Sequence, residues 1–132
     1  MDSIKTVIYE ADSGSVLPEQ QWHVRYDIDR TAVTLTRNGR SPSSVILSGS
    51  WKLAADTAAI EDFFRRIEAV DIAAMRRVEP ADIPDGGGAQ TIALVFASGK
   101  RVEFDYPPGV FYANGEELIA TVRTFIRAFP CC

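Results

Sequence analysis

The longest amphipathic pattern in the chain covers residues 56–70, where apolar positions recur at helical spacing and charged residues lie between them. The apolar positions are Ile60, Phe63, Phe64, Ile67 and Val70. This pattern predicts a helix with Asp56 as its N-cap, and residues 72–77 either continue it or add one more turn. Because an apolar helix face needs a surface to cover, we expect a β-sheet beneath it.

The chain before this helix predicts strands. They are residues 4–9, 22–29, 32–37 and 45–47, the last extended by Trp51 and Leu53 after a bulge. The second strand alternates cleanly, with Trp22, Val24, Tyr26 and Ile28 on one side and His23, Arg25, Asp27 and Asp29 on the other. It therefore has one face in water.

Residues 91–96 and 101–106 predict a β-hairpin that turns at residues 97–100. Its inward set is Ile92, Leu94 and Phe96 facing Val102, Phe104 and Tyr106, which leaves Arg101, Glu103 and Asp105 in water. A hairpin of this composition extends the sheet formed by the earlier strands.

A second amphipathic helix closes the chain and ends at Pro130. Its apolar face comprises Leu118, Val122, Phe125, Ile126 and Phe129. Asn114 and Glu117 have the spacing of a capping box. The predicted fold is one α+β domain over residues 1–132. It has a single antiparallel sheet of five or six strands with two helices on one face, in the order βββ(β)αββα.

Composition and charge limit the classes of partner that we expect for this chain. The chain has 14 Lys and Arg against 18 Asp and Glu, a net charge of -4. The arginine pairs 65–66 and 76–77 lie among carboxylates and are interpreted as a solvated helix face, so we expect no nucleic-acid binding. No segment approaches the roughly 18 apolar residues of a membrane span and no leader is evident, so we expect a cytoplasmic protein without a membrane partner.

Few residues carry candidate chemistry. His23 is the single histidine, so no zinc cluster forms around it, and an exposed strand histidine is the simpler interpretation. Asp82 and Asp85 precede three glycines, but the spacing lacks the further ligands of a calcium loop. We expect a flexible acidic connector there, no metal and no cofactor. Cys131 and Cys132 are adjacent, which predicts free thiols.

Two surfaces suit recognition. Residues 106–112 place Tyr106, Phe111 and Tyr112 around two prolines, and rigid aromatics are good protein-binding anchors. Alternatively, Phe111 and Tyr112 fold back over the edge of the core. The polar strand face that carries His23 and Arg25 is the second surface, since an open sheet face can bind a partner or be ordinary surface.

These patterns favour a non-catalytic domain that binds another protein, as a small bacterial inhibitor or a toxin-neutralising immunity-type protein would. One alternative is a small-ligand or catalytic pocket between sheet and helices, lined by Trp22, Tyr26, Tyr106 and Tyr112, with His23 or Asp27 supplying polarity. Another alternative is a homo-oligomeric structural protein. Both a monomer and a homodimer are compatible with the sequence.

Overall fold

A computed structural model describes residues 3–12, 21–39, 49–81 and 88–129. The strands are β1 (Ile4–Asp12), β2 (Trp22–Asp29), β3 (Val33–Gly39), β4 (Gly49–Leu53), β5 (Arg76–Val78), β6 (Gln90–Phe96), β7 (Arg101–Tyr106) and β8 (Phe111–Ala113). The helices are α1 (Thr57–Glu68) and α2 (Glu116–Arg127), and a single 3₁₀ turn spans Ile72–Ala74. The fold is α+β, as the sequence predicts.

Six strands form one antiparallel sheet in the order β4-β3-β2-β1-β6-β7. The first four strands follow each other from the centre to one edge. The chain then crosses through α1 and returns as β6 on the other side of β1. Val7 of β1 lies opposite Ile28 of β2 and Leu94 of β6, which fixes the register of the sheet centre.

Both helices cover the same face of this sheet, which we call the covered face. Val7, Ile28 and Leu94 are 0% exposed there and belong to one buried cluster with side chains from both helices. The helices bury Ile60, Phe63, Phe64, Ile67, Leu118 and Val122. Burial of each such side chain contributes about 1.5–3 kcal/mol relative to exposure. The opposite face, called the open face, carries the polar side chains of the same strands.

Contacts at both sides of α1 join it to α2 and to the sheet. The rings of Phe63 and Phe125 stack with centroids 4.3 Å apart and join α1 to α2. On the other side, the Arg30 guanidinium lies 4.2 Å from the ring centroid of Phe64. It also donates hydrogen bonds to the Ile4 carbonyl at 2.8 and 3.0 Å and to Glu68 at 3.0 Å. Arg30 therefore links the start of β1 to the end of α1.

The strand predictions agree closely with the structure, except for their ends. The second strand and the last hairpin strand have the predicted bounds, while β1 and β3 extend to Asp12 and Gly39. The predicted inward set of the hairpin lies on the covered face, with Ile92 opposite Phe104 and Leu94 opposite Val102. The predicted strand at 45–47 lies outside the described residues, and β4 contains Trp51 and Leu53.

The predictions around α1 are wrong in two details. Asp56 occupies the N-cap position, but its side chain makes no capping hydrogen bond. The helix ends at Glu68, and the one further turn that the sequence allows is present as the 3₁₀ turn Ile72–Ala74, which leads into β5. Arg76 and Arg77 therefore lie on a strand and not on a solvated helix face.

The segment before α2 also departs from prediction. β8 pairs with β5 in a separate two-stranded antiparallel sheet that the sequence pattern does not predict. Gly115, not Asn114, is the N-cap of α2, and no side chain caps the helix. Asn114 instead adopts a φ of 64° and donates its side-chain amide to the Ala74 carbonyl at 3.2 Å. Asn tolerates this left-handed conformation better than most residues.

Candidate functional site

A cleft of about 260 Å³ lies between the loop at residues 107–110, β8 and one side of α2. We call it the loop cleft. It is lined by the aromatic side chains Tyr106, Phe111 and Tyr112 and by the polar side chains Gln90, Glu116 and Arg123, among others. The sequence-predicted aromatic residues are therefore brought together around one concave surface at the end of the covered face.

The aromatic residues divide between the two orientations that the sequence allows. Phe111 is 52% exposed and points away from the core. Tyr112 folds back, with its ring centroid 5.0 Å from that of Tyr106 and 5.4 Å from that of Phe104, both in edge-to-face geometry. Its hydroxyl accepts a hydrogen bond from the Asp105 backbone N–H at 3.2 Å. Tyr112 thus anchors the loop, and Phe111 is the ring it presents to solvent.

A tight turn sets the shape of the loop. The Val110 N–H donates to the Pro107 carbonyl at 3.0 Å, and Gly109 has a φ of 83°. A proline at the second position and a glycine with positive φ at the third are the residues that a type II turn requires. The loop is therefore stiff, because proline restricts one of its central residues and the hydrogen bond closes it.

The Tyr106 side chain forms part of the cleft wall and is only 7% exposed. Its hydroxyl is buried and has no hydrogen-bond partner among the described residues. Burial, with a smaller contribution from the neighbouring Tyr112, raises the pKa of this phenol to about 12. The hydroxyl is therefore a neutral, unsatisfied donor and acceptor at physiological pH.

Gln90 lies directly opposite Tyr106 in the ladder between β6 and β7. Its side-chain oxygen accepts a 2.6 Å hydrogen bond from the Tyr9 hydroxyl of β1. Burial raises the pKa of Tyr9, while the nearby positive charges of Arg123 and Arg127 partly oppose that effect. The hydrogen-bonded pair Tyr9–Gln90 thus extends the wall of the cleft. The guanidinium groups of Arg123 and Arg127 on α2 lie near this pair.

His23 and Arg25 lie on the open face, on the opposite side of the sheet from the cleft. The His23 Nε2 is 3.5 Å from a carboxylate oxygen of Glu10. Arg25 donates to both oxygens of Asp27 at 3.0 and 3.1 Å. This hydrogen bonding raises the pKa of Arg25, with burial acting against it. The open face is therefore lined by pairs of polar side chains.

The residues that the sequence suggests for one pocket do not all lie around one cavity in the structure. His23 and Asp27 cannot supply polarity beside Tyr106 and Tyr112, because successive residues of a strand point to opposite faces. Trp22 and Tyr26 are on the covered face, half-buried at the edge of the main cluster, but do not line the cleft.

The polar residues of the loop cleft are ones that the sequence interpretation missed. Gln90 shares the alternation of Ile92 and Leu94, which places it on the covered face. Arg123 follows Ile119 by one helical turn, and both line the cleft. The strand alternation of Gln90 and the helical spacing of Arg123 are therefore the sequence signals that place both residues at the loop cleft.

The remaining predicted residues lie elsewhere. Asp82, Asp85, Cys131 and Cys132 are outside the described residues. Within the described ranges, no group of three or more His, Cys, Asp or Glu side chains is placed to hold a metal ion. Neither α1 nor α2 is long and apolar enough to cross a membrane, in the part of the chain that the structure describes.

No protein-family model matches this chain, and no curated protein matches it either. The loop cleft and the open face are therefore the two surfaces whose geometry bears on its function.

Proposed function

We propose that the chain is a protein-binding domain whose contact surface is Phe111 together with the loop cleft. One observation carries this proposal. Phe111 is the single exposed large hydrophobic side chain among the described residues, at 52% exposure, and it lies beside a concave surface. Aromatic side chains next to a pocket are typical binding hot spots, since they bury a large apolar area in one contact.

The backbone around Phe111 is already ordered. Phe111 pairs with Val78 across the small sheet, and the type II turn precedes it directly. The packing of Tyr112 against Phe104 and Tyr106 fixes the following residue. Binding through such a segment costs little additional conformational entropy, which favours affinity.

The size of the cleft also favours a protein partner. Its volume of about 260 Å³ is below the roughly 300–1,000 Å³ of sites that enclose small-molecule ligands. It suits one side chain of a partner whose surrounding surface covers Phe111. An inhibitor or an immunity-type protein acts by such a contact, because it covers a surface that its target protein needs for activity.

The test is affinity capture from the native host, with the recovered protein then purified for measurement of Kd. Phe111→Ala is expected to weaken binding at least about thirtyfold, since a hot-spot aromatic contributes about 2 kcal/mol or more. Lys100→Ala is the matched control, because Lys100 is exposed at the other end of the β6–β7 hairpin. Phe111→Tyr retains the whole aromatic ring and adds only a hydroxyl, so it is expected to retain binding.

Two results would contradict the proposal. One is the absence of any stoichiometric partner of the wild-type protein. The other is a recovered partner that Phe111→Ala and Lys100→Ala bind equally well. Sedimentation of the purified chain belongs to the same experiment, since a dimer that Phe111→Ala dissociates would make a second copy the partner.

A further inference from the structure

The arginines of the chain differ in how they are neutralised. Six of them form ion pairs with a carboxylate: Arg25, Arg30, Arg65, Arg66, Arg77 and Arg101. Arg123 and Arg127 have no carboxylate partner among the described residues, although Asp and Glu outnumber Lys and Arg by 18 to 14 in the chain. These two guanidinium groups of α2, like that of Arg76 on β5, are thus left available to an external anion.

These two arginines are one helical turn apart on α2 and approach the same place. Both act electrostatically on the phenol of Tyr9, and Arg123 lines the loop cleft. Residues four apart lie on the same helix face, so their charges add at that point. The positive charge is therefore concentrated where the cleft meets the Tyr9–Gln90 pair.

Hydrogen-bond donors lie at the same wall. The Gln90 oxygen accepts from Tyr9 at 2.6 Å, which leaves the amide nitrogen of Gln90 as the group with donors to offer. Across the ladder, the Tyr106 hydroxyl is buried without a partner among the described residues. A buried hydroxyl without a hydrogen bond is unfavourable, and Tyr106 lines the cleft, so an acceptor that reaches this hydroxyl from the cleft would satisfy it.

We infer that the loop cleft binds a carboxylate of the partner protein, held by Arg123, Gln90 and Tyr106. The inference rests on the proposed function, since the carboxylate belongs to the bound protein. A carboxylate is a planar acceptor of two or more hydrogen bonds and matches a guanidinium in geometry and charge. The volume of about 260 Å³ suits the end of an Asp or Glu side chain.

Glu116 is the group that opposes this ligand. It is exposed in the first turn of α2 and lines the same cleft. Its negative charge weakens the attraction for an anion. Replacing it with the neutral amide is therefore expected to strengthen carboxylate binding, which gives a change in the opposite direction from the removal of Arg123.

The experiment titrates the free, isotopically labelled protein with N-acetylglutamate N-methylamide and follows the Gln90 side-chain amide by NMR. The neutral glutamine analogue and inorganic phosphate are the two comparison probes. Saturable binding of the carboxylate in the millimolar range is expected. Arg123→Gln is expected to weaken it about tenfold or more, and Glu116→Gln to strengthen it a few-fold. Lys100→Gln removes the same charge at the far end of the hairpin and should leave it unchanged.

Three outcomes of the titrations of the wild-type protein would overturn the inference. They are the absence of a saturable Gln90 shift, equal binding of the glutamine analogue, and preference for phosphate over the carboxylate. An equal loss in Arg123→Gln and Lys100→Gln would also overturn it, because it would reflect net charge alone. The titration needs no partner, so its failure is separate from that of the Phe111 capture experiment.

Discussion

The two faces of the large sheet bury similar residues in different ways. Ile28 is 0% exposed on the covered face, and Ile8, one strand away on the open face, is only 6% exposed. Ile28 belongs to the cluster beneath the helices, whereas Ile8 and its cross-strand neighbour Ala93 do not. Ile8 lies in a row between Asp27 and Ala93 of the flanking strands. Low exposure therefore does not by itself identify the core.

The faces also differ in how their charges are matched. The two arginines that the large sheet carries on its open face, Arg25 and Arg101, each pair with a carboxylate two residues along the same strand. On the covered side, Arg123 has no such partner in the described ranges, and the Tyr106 hydroxyl is unsatisfied. Local inconsistencies of this kind concentrate at functional sites. This comparison favours the loop cleft over the open face.

The largest expected effect is the difference in the free energy of unfolding between two matched truncations, one on each face of the sheet. Ile28→Ala is expected to lower the free energy of unfolding by about 3–4 kcal/mol, because it leaves a cavity between the sheet and both helices. Ile8→Ala is expected to cost about 1–2 kcal/mol, since surrounding polar side chains and water can fill the space. Denaturant unfolding with unchanged m-values measures both. Equal losses would mean that the two faces are equally well packed.

The next effect concerns the hydroxyl of Tyr106. At neutral pH, Tyr106→Phe is expected to leave the free energy of unfolding unchanged or raise it by up to about 1–3 kcal/mol, because a buried unpaired hydroxyl is removed. Tyr112→Phe is the control, since the hydroxyl of Tyr112 accepts a hydrogen bond from Asp105. It is expected to lower stability by about 1 kcal/mol. Chemical denaturation of both variants would show the contrast.

Tyr106→Phe is also expected to change how the free energy of unfolding depends on pH. The pKa of Tyr106 is raised to about 12 in the folded protein, against about 10 in the unfolded chain. The unfolded state therefore loses its proton first, and this group destabilises the fold as pH rises from about 10 to about 12, by up to roughly 1.4 kcal/mol per pH unit. Below that window it has no effect. Tyr106→Phe should be less sensitive to pH there, and a parallel profile would contradict the assigned burial.

The main architecture was predictable because it follows from periodic burial. The helical spacing of Phe63, Phe64 and Ile67 and the alternation of β2 both reflect faces that pack against another layer. The small β5–β8 sheet was not predictable in this way. Each of its strands has three residues, which is too short for a period, and their pairing joins distant segments. The caps failed similarly, since Asp56 makes no capping hydrogen bond and Asn114 donates its side-chain amide to the Ala74 carbonyl instead.

The candidate site was predictable only in part. Tyr106, Phe111 and Tyr112 are close in sequence, so their proximity in space needed only a compact loop. Gln90 and Arg123 join them through tertiary structure, because β6 and α2 meet only when the sheet and helices pack together. Strand alternation already separates His23 from Tyr26, so placing both in one pocket conflicts with the pattern itself.

The smallest expected effect is that of the Arg25–Asp27 ion pair on the open face. Both side chains are partly exposed, so water screens their attraction, and a double-mutant cycle with Arg25→Gln and Asp27→Asn should give a coupling of about 0.2–1 kcal/mol. Arg30 is the contrasting residue. It has similar exposure but donates to the Ile4 carbonyl and lies over Phe64, so Arg30→Gln should cost more than Arg25→Gln. Added salt should reduce the Arg25 coupling further. An Arg25 loss equal to that of Arg30 would show that the open face contributes structurally as much as the contacts that join sheet to helix.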